Sequence, residues 1–171
     1  MTLRQIITKE QIDRRVNELA AQIRRDYEGK EVAVVAVMTG AVFFLVDLLR
    51  RVDLPVRLDV LQVKSYNGTA TSGSPRIVGR PALRLQGRHV LIIDDILDTG
   101  LTLQSVVREV KKSCPESLKI CVLLSKKRRR EADIQADYCA FEIADEFVVG
   151  YGLDYDGQFR YLPYIAAIDE G

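Results

Sequence analysis

Three aspartates and two threonines fall within one short stretch, Asp94-Asp95-Ile96-Leu97-Asp98-Thr99-Gly100-Leu101-Thr102, the densest concentration of reactive groups in the chain. They follow Val90, Leu91, Ile92 and Ile93, an apolar and mostly β-branched run of the kind that forms a parallel strand buried on both faces. The two adjacent carboxylates are therefore expected where that strand emerges from its sheet. Beyond them Leu103, Val106, Val107 and Val110 recur at helical spacing, so the order is strand, acidic edge, small hydroxyl-bearing turn, helix. The first N–H groups of a helix lack intrahelical partners and its dipole adds partial positive charge there, which makes the 98–102 turn an anion site suited to a phosphate monoester. The paired acids beside it suit hydroxyl groups or a metal ion. A sugar phosphate with free vicinal hydroxyls would satisfy both halves.

Other segments must position this stretch. Thr8-Lys9-Glu10-Gln11 reads as a capping box, and Ile12, Val16, Leu19, Ala20 and Ile23 then share one helical face until Gly29 stops the helix. Residues 32–38 form a second buried strand ending at Thr39-Gly40. Residues 41–52 are nearly all apolar before Arg50 and Arg51 and read as a helix packed into the core. Residues 56–63 alternate as a strand. The next segment, about 64–76, is polar and small, too long for an ordinary connection, and reads as a lid. Ile77-Val78 and Ala82-Leu83 are expected as short strands of that excursion. Residues 119–124 form the next core strand, with 138–143 and 147–149 as short strands and 164–168 as a last edge strand.

Strands alternating with helices imply an α/β fold with a mostly parallel, doubly wound sheet, and such sheets bind ligands at the carboxyl ends of their strands. Thr39-Gly40, Lys64-Ser65-Tyr66, Asp94-Asp95-Asp98 and Lys126 each directly follow a predicted strand. Four sequence-distant polar sets thus converge on one edge, which is the main argument from the residues themselves for a site there.

The stretch VLIIDDILDTGLTL resembles the phosphoribosyl-pyrophosphate (PRPP) motif of type I phosphoribosyltransferases. Lys64-Ser65-Tyr66, Leu123-Leu124-Ser125-Lys126 and the segment from Asp145 through Phe147-Val148-Val149-Gly150-Tyr151-Gly152-Leu153-Asp154-Tyr155 to Arg160 resemble the hypoxanthine-guanine branch of that family. The likeness spans roughly residues 32–168. It implies the type I phosphoribosyltransferase fold over 1–171 as one domain, with a small hood built from the N- and C-terminal segments and a flexible lid loop. It implies transfer of the phosphoribosyl group from PRPP to a 6-oxopurine, releasing pyrophosphate. Asp94 and Asp95 would hold the ribose hydroxyls and magnesium, and Asp98, Thr99, Gly100, Leu101 and Thr102 the 5′-phosphate. Asp98 matches the family's acid beside purine N7, placed as general base. Lys126 matches the lysine that donates to the 6-oxo group, Phe147 the aromatic that stacks on the ring, and Val148 a backbone contact to the base edge. Asp154 matches a purine-site carboxylate that also takes part in magnesium and pyrophosphate binding. Thr39, Gly40, Lys64, Ser65 and Arg160 would hold pyrophosphate. The chain departs from common family usage at Thr39, where lysine or arginine is frequent, at Asp94, where glutamate is, and at Leu101, where polar residues also occur.

The same resemblance suggests a homodimer or homotetramer. An alternative from the same fold is a PRPP-binding, RNA-binding regulator of nucleotide genes, motivated by the basic run Lys126 to Arg130. The purine-type segment from Phe147 to Asp154 argues for the enzyme. The tripeptide Asp98-Thr99-Gly100 also matches the aspartic-protease signature, but those enzymes are all-β and here it opens a helix. A net charge of +1 gives no general push toward nucleic acid or membrane surface, and no apolar run approaches the length of a membrane span. A cytoplasmic location is expected. Cys114, Cys121 and Cys139 have no metal-ligand spacing and are odd in number, so reduced thiols are expected. His89, the only histidine, reads as a surface residue in a polar turn, which leaves histidine-based nucleophilic catalysis without a base.

Overall fold

The computed structural model describes residues 2–64, 75–79, 81–126 and 131–169. Most of the expected lid, including Ser65, and the basic residues Lys127 to Arg130 lie outside the described residues.

Buried parallel strands dominate the centre because their sequences are apolar on both faces. The elements run β1 (Thr2–Ile7), α1 (Lys9–Asp26), β2 (Val32–Met38), α2 (Val42–Val52), β3 (Val56–Lys64), β4 (Arg76–Val78), β5 (His89–Leu97), α3 (Leu101–Lys111), β6 (Ser117–Lys126), β7 (Tyr138–Ile143), β8 (Val148–Val149) and β9 (Ile165–Asp169). Six strands form the main sheet in the order β4-β3-β2-β5-β6-β7. All neighbours are parallel except β4, which runs antiparallel on the β3 edge.

The period of two along each strand divides the core into two layers. Val32, Val34 and Ala36 of β2, with Leu91 and Ile93 of β5, face α1 and α2. Ala33, Val35, Val37, Val90 and Ile92 face the other way and pack beneath Leu103, Val106 and Val110 of α3. Helix α1 starts as its sequence dictates: Thr8 Oγ1 accepts from Gln11 N at 3.2 Å and Gln11 Oε1 accepts from Thr8 N at 2.7 Å.

A second, three-stranded antiparallel sheet has the order β1-β9-β8. Strand β1 was not anticipated, because only Ile7 of its six residues is buried and no clean alternation marks it. It exists through pairing with β9, Thr2 opposite Asp169. Strand β9, read as an edge, is therefore central in this sheet.

Three further expectations change. Asp94 and Asp95 do not lie beyond their strand: β5 continues to Leu97 because β6 keeps pairing with it, Asp94 opposite Val122 and Leu97 opposite Ser125. Ala82-Leu83 is not a strand; Leu83 N donates to Asp59 Oδ2 at 3.0 Å, so a side chain holds this connection to β3. His89 is not a surface turn residue but the half-buried first residue of β5, its Nδ1 2.8 Å from Ser117 Oγ and its ring edge-on to Tyr27.

Candidate active site

Strands β2, β3, β5 and β6 run the same way, so their carboxyl ends share one edge, and a cleft of about 320 Å³ opens there. Its lining includes Thr39, Gly40, Asp94, Asp95, Asp98, Thr99, Gly100, Thr102, Asp154 and Arg160. Met38, Val63 and Leu103, none of which carries a polar signal in the sequence, add apolar wall.

The acid pair is tightly built. Asp94 is buried, and its Oδ1 accepts from Asp95 N at 2.9 Å, while Asp95 Oδ1 accepts from Ile96 N at 2.7 Å. Burial, and then the neighbouring charge of Asp95, hold the Asp94 carboxyl well above the usual carboxylate range. Burial also raises Asp95, with Arg160 among the groups that oppose the shift. Two carboxyl groups enclosed side by side disfavour each other's ionisation, and a cation or hydroxyl donors would relieve that cost.

The turn into α3 is shaped by Gly100, at φ +87°. A Cβ there would meet Ile134 Cγ2 at 2.7 Å, so the position requires glycine for space as well as for conformation. No side chain caps α3 in the usual manner. Leu101 N reaches only Thr99 Oγ1 at 3.4 Å, and Gly100, Thr102 and Leu103 line the cleft, so the first turn of α3 borders it. Glu131 N and Ala132 N donate to Thr99 O at 2.9 and 3.1 Å and fix the turn from behind.

Opposite this turn, the Met38–Thr39 peptide is cis. Gly152, at φ +105°, packs so closely on this loop that a Cβ would fall 2.0 Å from Gly40 O. Arg160 holds the same corner: Nη2 is 2.6 Å from Asp154 Oδ1, and Nη1 donates to Gly152 O. Asp154 Oδ2 accepts from Gly157 N at 2.7 Å.

Lys126, the last residue of β6, is buried, and Nζ lies 3.5 Å from Asp98 Oδ2. Lys126, Phe147 and Val148 do not line the cleft of about 320 Å³; Lys126 adjoins it through Asp98. Phe147 is 53% exposed, which excludes a core role, and its ring meets Tyr155 edge-on at 5.7 Å. Val148 is buried and paired with Ala167 in the small sheet. Lys64 ends β3 at the same sheet edge. Two residues missed in the sequence stand next to predicted ones: Asp145, whose Oδ1 is 3.8 Å from Lys126 Nζ, and Tyr155 beside Phe147. Asp145 follows the end of β7, the same position after a strand that marked the other polar sets.

The phosphoribosyl transferase domain matches residues 3–156. The chain belongs to this family. Among its curated relatives is the hypoxanthine-guanine phosphoribosyltransferase of Staphylococcus aureus, 42% identical over 164 residues, covering 95% of this chain and 92% of that one. A crystal structure of a hypoxanthine-guanine phosphoribosyltransferase from Bacillus anthracis superposes with a TM-score of 0.91 at 40% identity, covering 96% of this chain and 98% of that one. A hypoxanthine phosphoribosyltransferase from Staphylococcus aureus gives 0.91 at 41% identity, over 97% and 91% of the two chains. The main sheet and its flanking helices are thus those of a type I phosphoribosyltransferase. These comparisons lend no support to the regulator alternative. The family match ends at residue 156, so Arg160, which closes the cleft, lies beyond it.

Proposed function

We propose that this protein is a purine salvage enzyme that transfers the 5-phosphoribosyl group from PRPP to hypoxanthine, and to guanine, giving the nucleoside monophosphate and pyrophosphate. The observation that carries this reading is the 3.5 Å approach of Lys126 to Asp98, since it joins a sugar-phosphate cradle to a group able to read a 6-oxopurine. The names of the relatives support the same activity.

In this reading the 5′-phosphate rests on the backbone N–H groups of the 98–102 turn at the start of α3. Asp94 and Asp95 accept hydrogen bonds from the ribose hydroxyls. Thr39, Gly40, Lys64, Ser65 and Arg160 hold the pyrophosphate, Arg160 through its fork of donors. The base stacks on Phe147 and meets backbone groups at Val148, with Asp154 nearby. As the bond from C1 to pyrophosphate breaks and the bond to the base forms, Asp98 accepts the proton from N7. Lys126 donates to the 6-oxo group, drawing electron density from the ring; the 6-amino group of adenine is itself a donor and cannot accept from this ammonium.

The donor set fits magnesium. Among the described residues no group of three or more histidine, cysteine or acidic side chains could cage a metal, and magnesium instead is commonly held by one or two carboxylates and substrate oxygens. One or two of Asp94, Asp95 and Asp154 would ligate such an ion, Asp154 using lone pairs beyond those engaged by Arg160 and Gly157. When bound, the ion would offset negative charge on the leaving pyrophosphate.

The enzyme is a single domain, with the small sheet as its hood, and works in the cytoplasm. Among the described residues no helix is long and apolar enough to cross a membrane. It assembles as a homodimer or homotetramer. Supporting this, Leu58, Val60 and Val78 expose an apolar strip on β3 and β4. Pyrophosphate release from PRPP with magnesium, run in parallel with hypoxanthine, guanine, xanthine, adenine and uracil, tests the reading. Turnover confined to 6-oxopurines is expected; turnover with adenine or uracil alone would overturn it.

A further inference from the structure

Lys126 has two carboxylate neighbours, and the proposed reaction uses only one of them. Its side chain is 6% exposed, with Asp98 Oδ2 at 3.5 Å and Asp145 Oδ1 at 3.8 Å. The register explains the second contact. Lys126 pairs with Ile143 across β6 and β7, so a residue two positions further along the chain emerges at the same sheet edge. A tight turn, with Glu146 N donating to Ala144 O at 2.9 Å, holds Asp145 there.

An ammonium has three donors and no acceptor, and out of water it needs its counter-charge close by. Asp98 alone cannot provide this throughout the reaction, because in accepting the N7 proton it loses its charge at the moment Lys126 must polarise the 6-oxo group. Asp145 undergoes no such change. Without it Asp98 would be the one of these two carboxylates left to balance the ammonium.

We propose that Asp145 is a positioning residue for base recognition: it holds the Lys126 ammonium at the purine end of the cleft and remains its counter-charge while Asp98 takes up the proton. This rests on the reading of Lys126 as the group that recognises a 6-oxopurine. The role is one of specificity, since Asp145 acts on the base through lysine and has no part in holding PRPP.

The test is equilibrium binding of IMP, AMP and PRPP, with steady-state kinetics on hypoxanthine, for the wild type, Asp145→Asn, Asp145→Glu, Lys126→Met and the Asp145→Asn/Lys126→Met double variant. Asp145→Asn should weaken IMP binding and raise the KM for hypoxanthine about tenfold, narrow the preference for IMP over AMP, and leave PRPP affinity within about twofold. Asp145→Glu should recover part of the loss. In the Lys126→Met background the Asp145 substitution should have almost no further effect, because the group it positions is gone. Equal losses for IMP and PRPP, a full tenfold loss persisting without Lys126, or wild-type behaviour of Asp145→Asn would each overturn the role. A wild type that neither binds IMP nor uses hypoxanthine would instead remove the functional reading itself, before any variant is compared.

Discussion

Asp95 Oδ2 lies in the space that a side chain on Gly40 would need: a Cβ built there falls 1.6 Å from it. The loop after β2 and the acid pair of β5 therefore fit together only because residue 40 is glycine. Gly40→Ala should displace the Asp95 carboxylate or the 38–40 loop and weaken PRPP binding more than tenfold while the fold survives. Calorimetric titration with PRPP measures the first effect and circular dichroism the second. Unchanged PRPP affinity would mean that this contact does not shape the site.

Asp94 is held well above the usual carboxylate range by burial and by Asp95. A carboxyl whose pKa is higher folded than unfolded binds more protons in the folded state, so its stabilising contribution is present below the unfolded value of about 3.9 and is lost as pH rises through the folded value. At neutral pH, far above the unfolded value, the raised folded pKa costs the ligand-free protein stability. Asp94→Asn should therefore raise the neutral-pH Tm by about 2 to 4 °C, equivalent to about 1 kcal/mol. The gain should vanish toward pH 4, and PRPP affinity should fall. Thermal melts across this pH range decide it; a lower Tm at neutral pH would contradict the electrostatic account.

Arg160 bridges Asp154 Oδ1 and Gly152 O at once, which needs the planar fork of a guanidinium. Arg160→Lys keeps the charge and loses the bridge. It should weaken pyrophosphate by about tenfold, read as the KM for pyrophosphate in the reverse reaction with IMP, with little change in the KM for hypoxanthine. A selective loss of hypoxanthine would place Arg160 in the wrong half of the cleft.

Phe147 is more than half exposed and contacts Tyr155 only by an edge, so little packing is lost when it is shortened. Phe147→Leu should leave Tm within about 2 °C and raise the KM for hypoxanthine about tenfold, because stacking of a base on an aromatic ring contributes about 1 to 3 kcal/mol. A large fall in Tm with unchanged KM would make Phe147 structural.

Much of this arrangement was legible in the residues because both strand signals and site signals are local. The run from Val90 to Ile93, its acids and the helical spacing after Gly100 lie in one continuous stretch, and the strand ends fix which polar groups share an edge. Strand β1 was not legible, since its pairing with β9 is set by residues more than a hundred and fifty positions away rather than by its own pattern. The extension of β5 through Asp94 and Asp95 was hidden for the same reason: acids disfavour a strand locally, and pairing with β6 overrides them. Asp145 was missed as a partner of Lys126 because the β6–β7 register that brings them together is visible only in the fold. His89 was misread because the polarity of its neighbours said nothing about Ser117 across the sheet.

The proposed function divides labour within one acidic cluster, giving Asp94 and Asp95 the sugar and Asp98 the proton. The most direct measurement compares kcat for hypoxanthine and the Kd for PRPP in Asp98→Asn and in the Asp94→Asn/Asp95→Asn double variant. Asp98→Asn should lower kcat by about 10² to 10⁴-fold with PRPP affinity nearly unchanged, as expected for removal of a general base. The double variant should lose PRPP affinity first. The reverse pattern, with PRPP binding lost on changing Asp98 and kept on changing Asp94 and Asp95, would contradict the assignment of both roles.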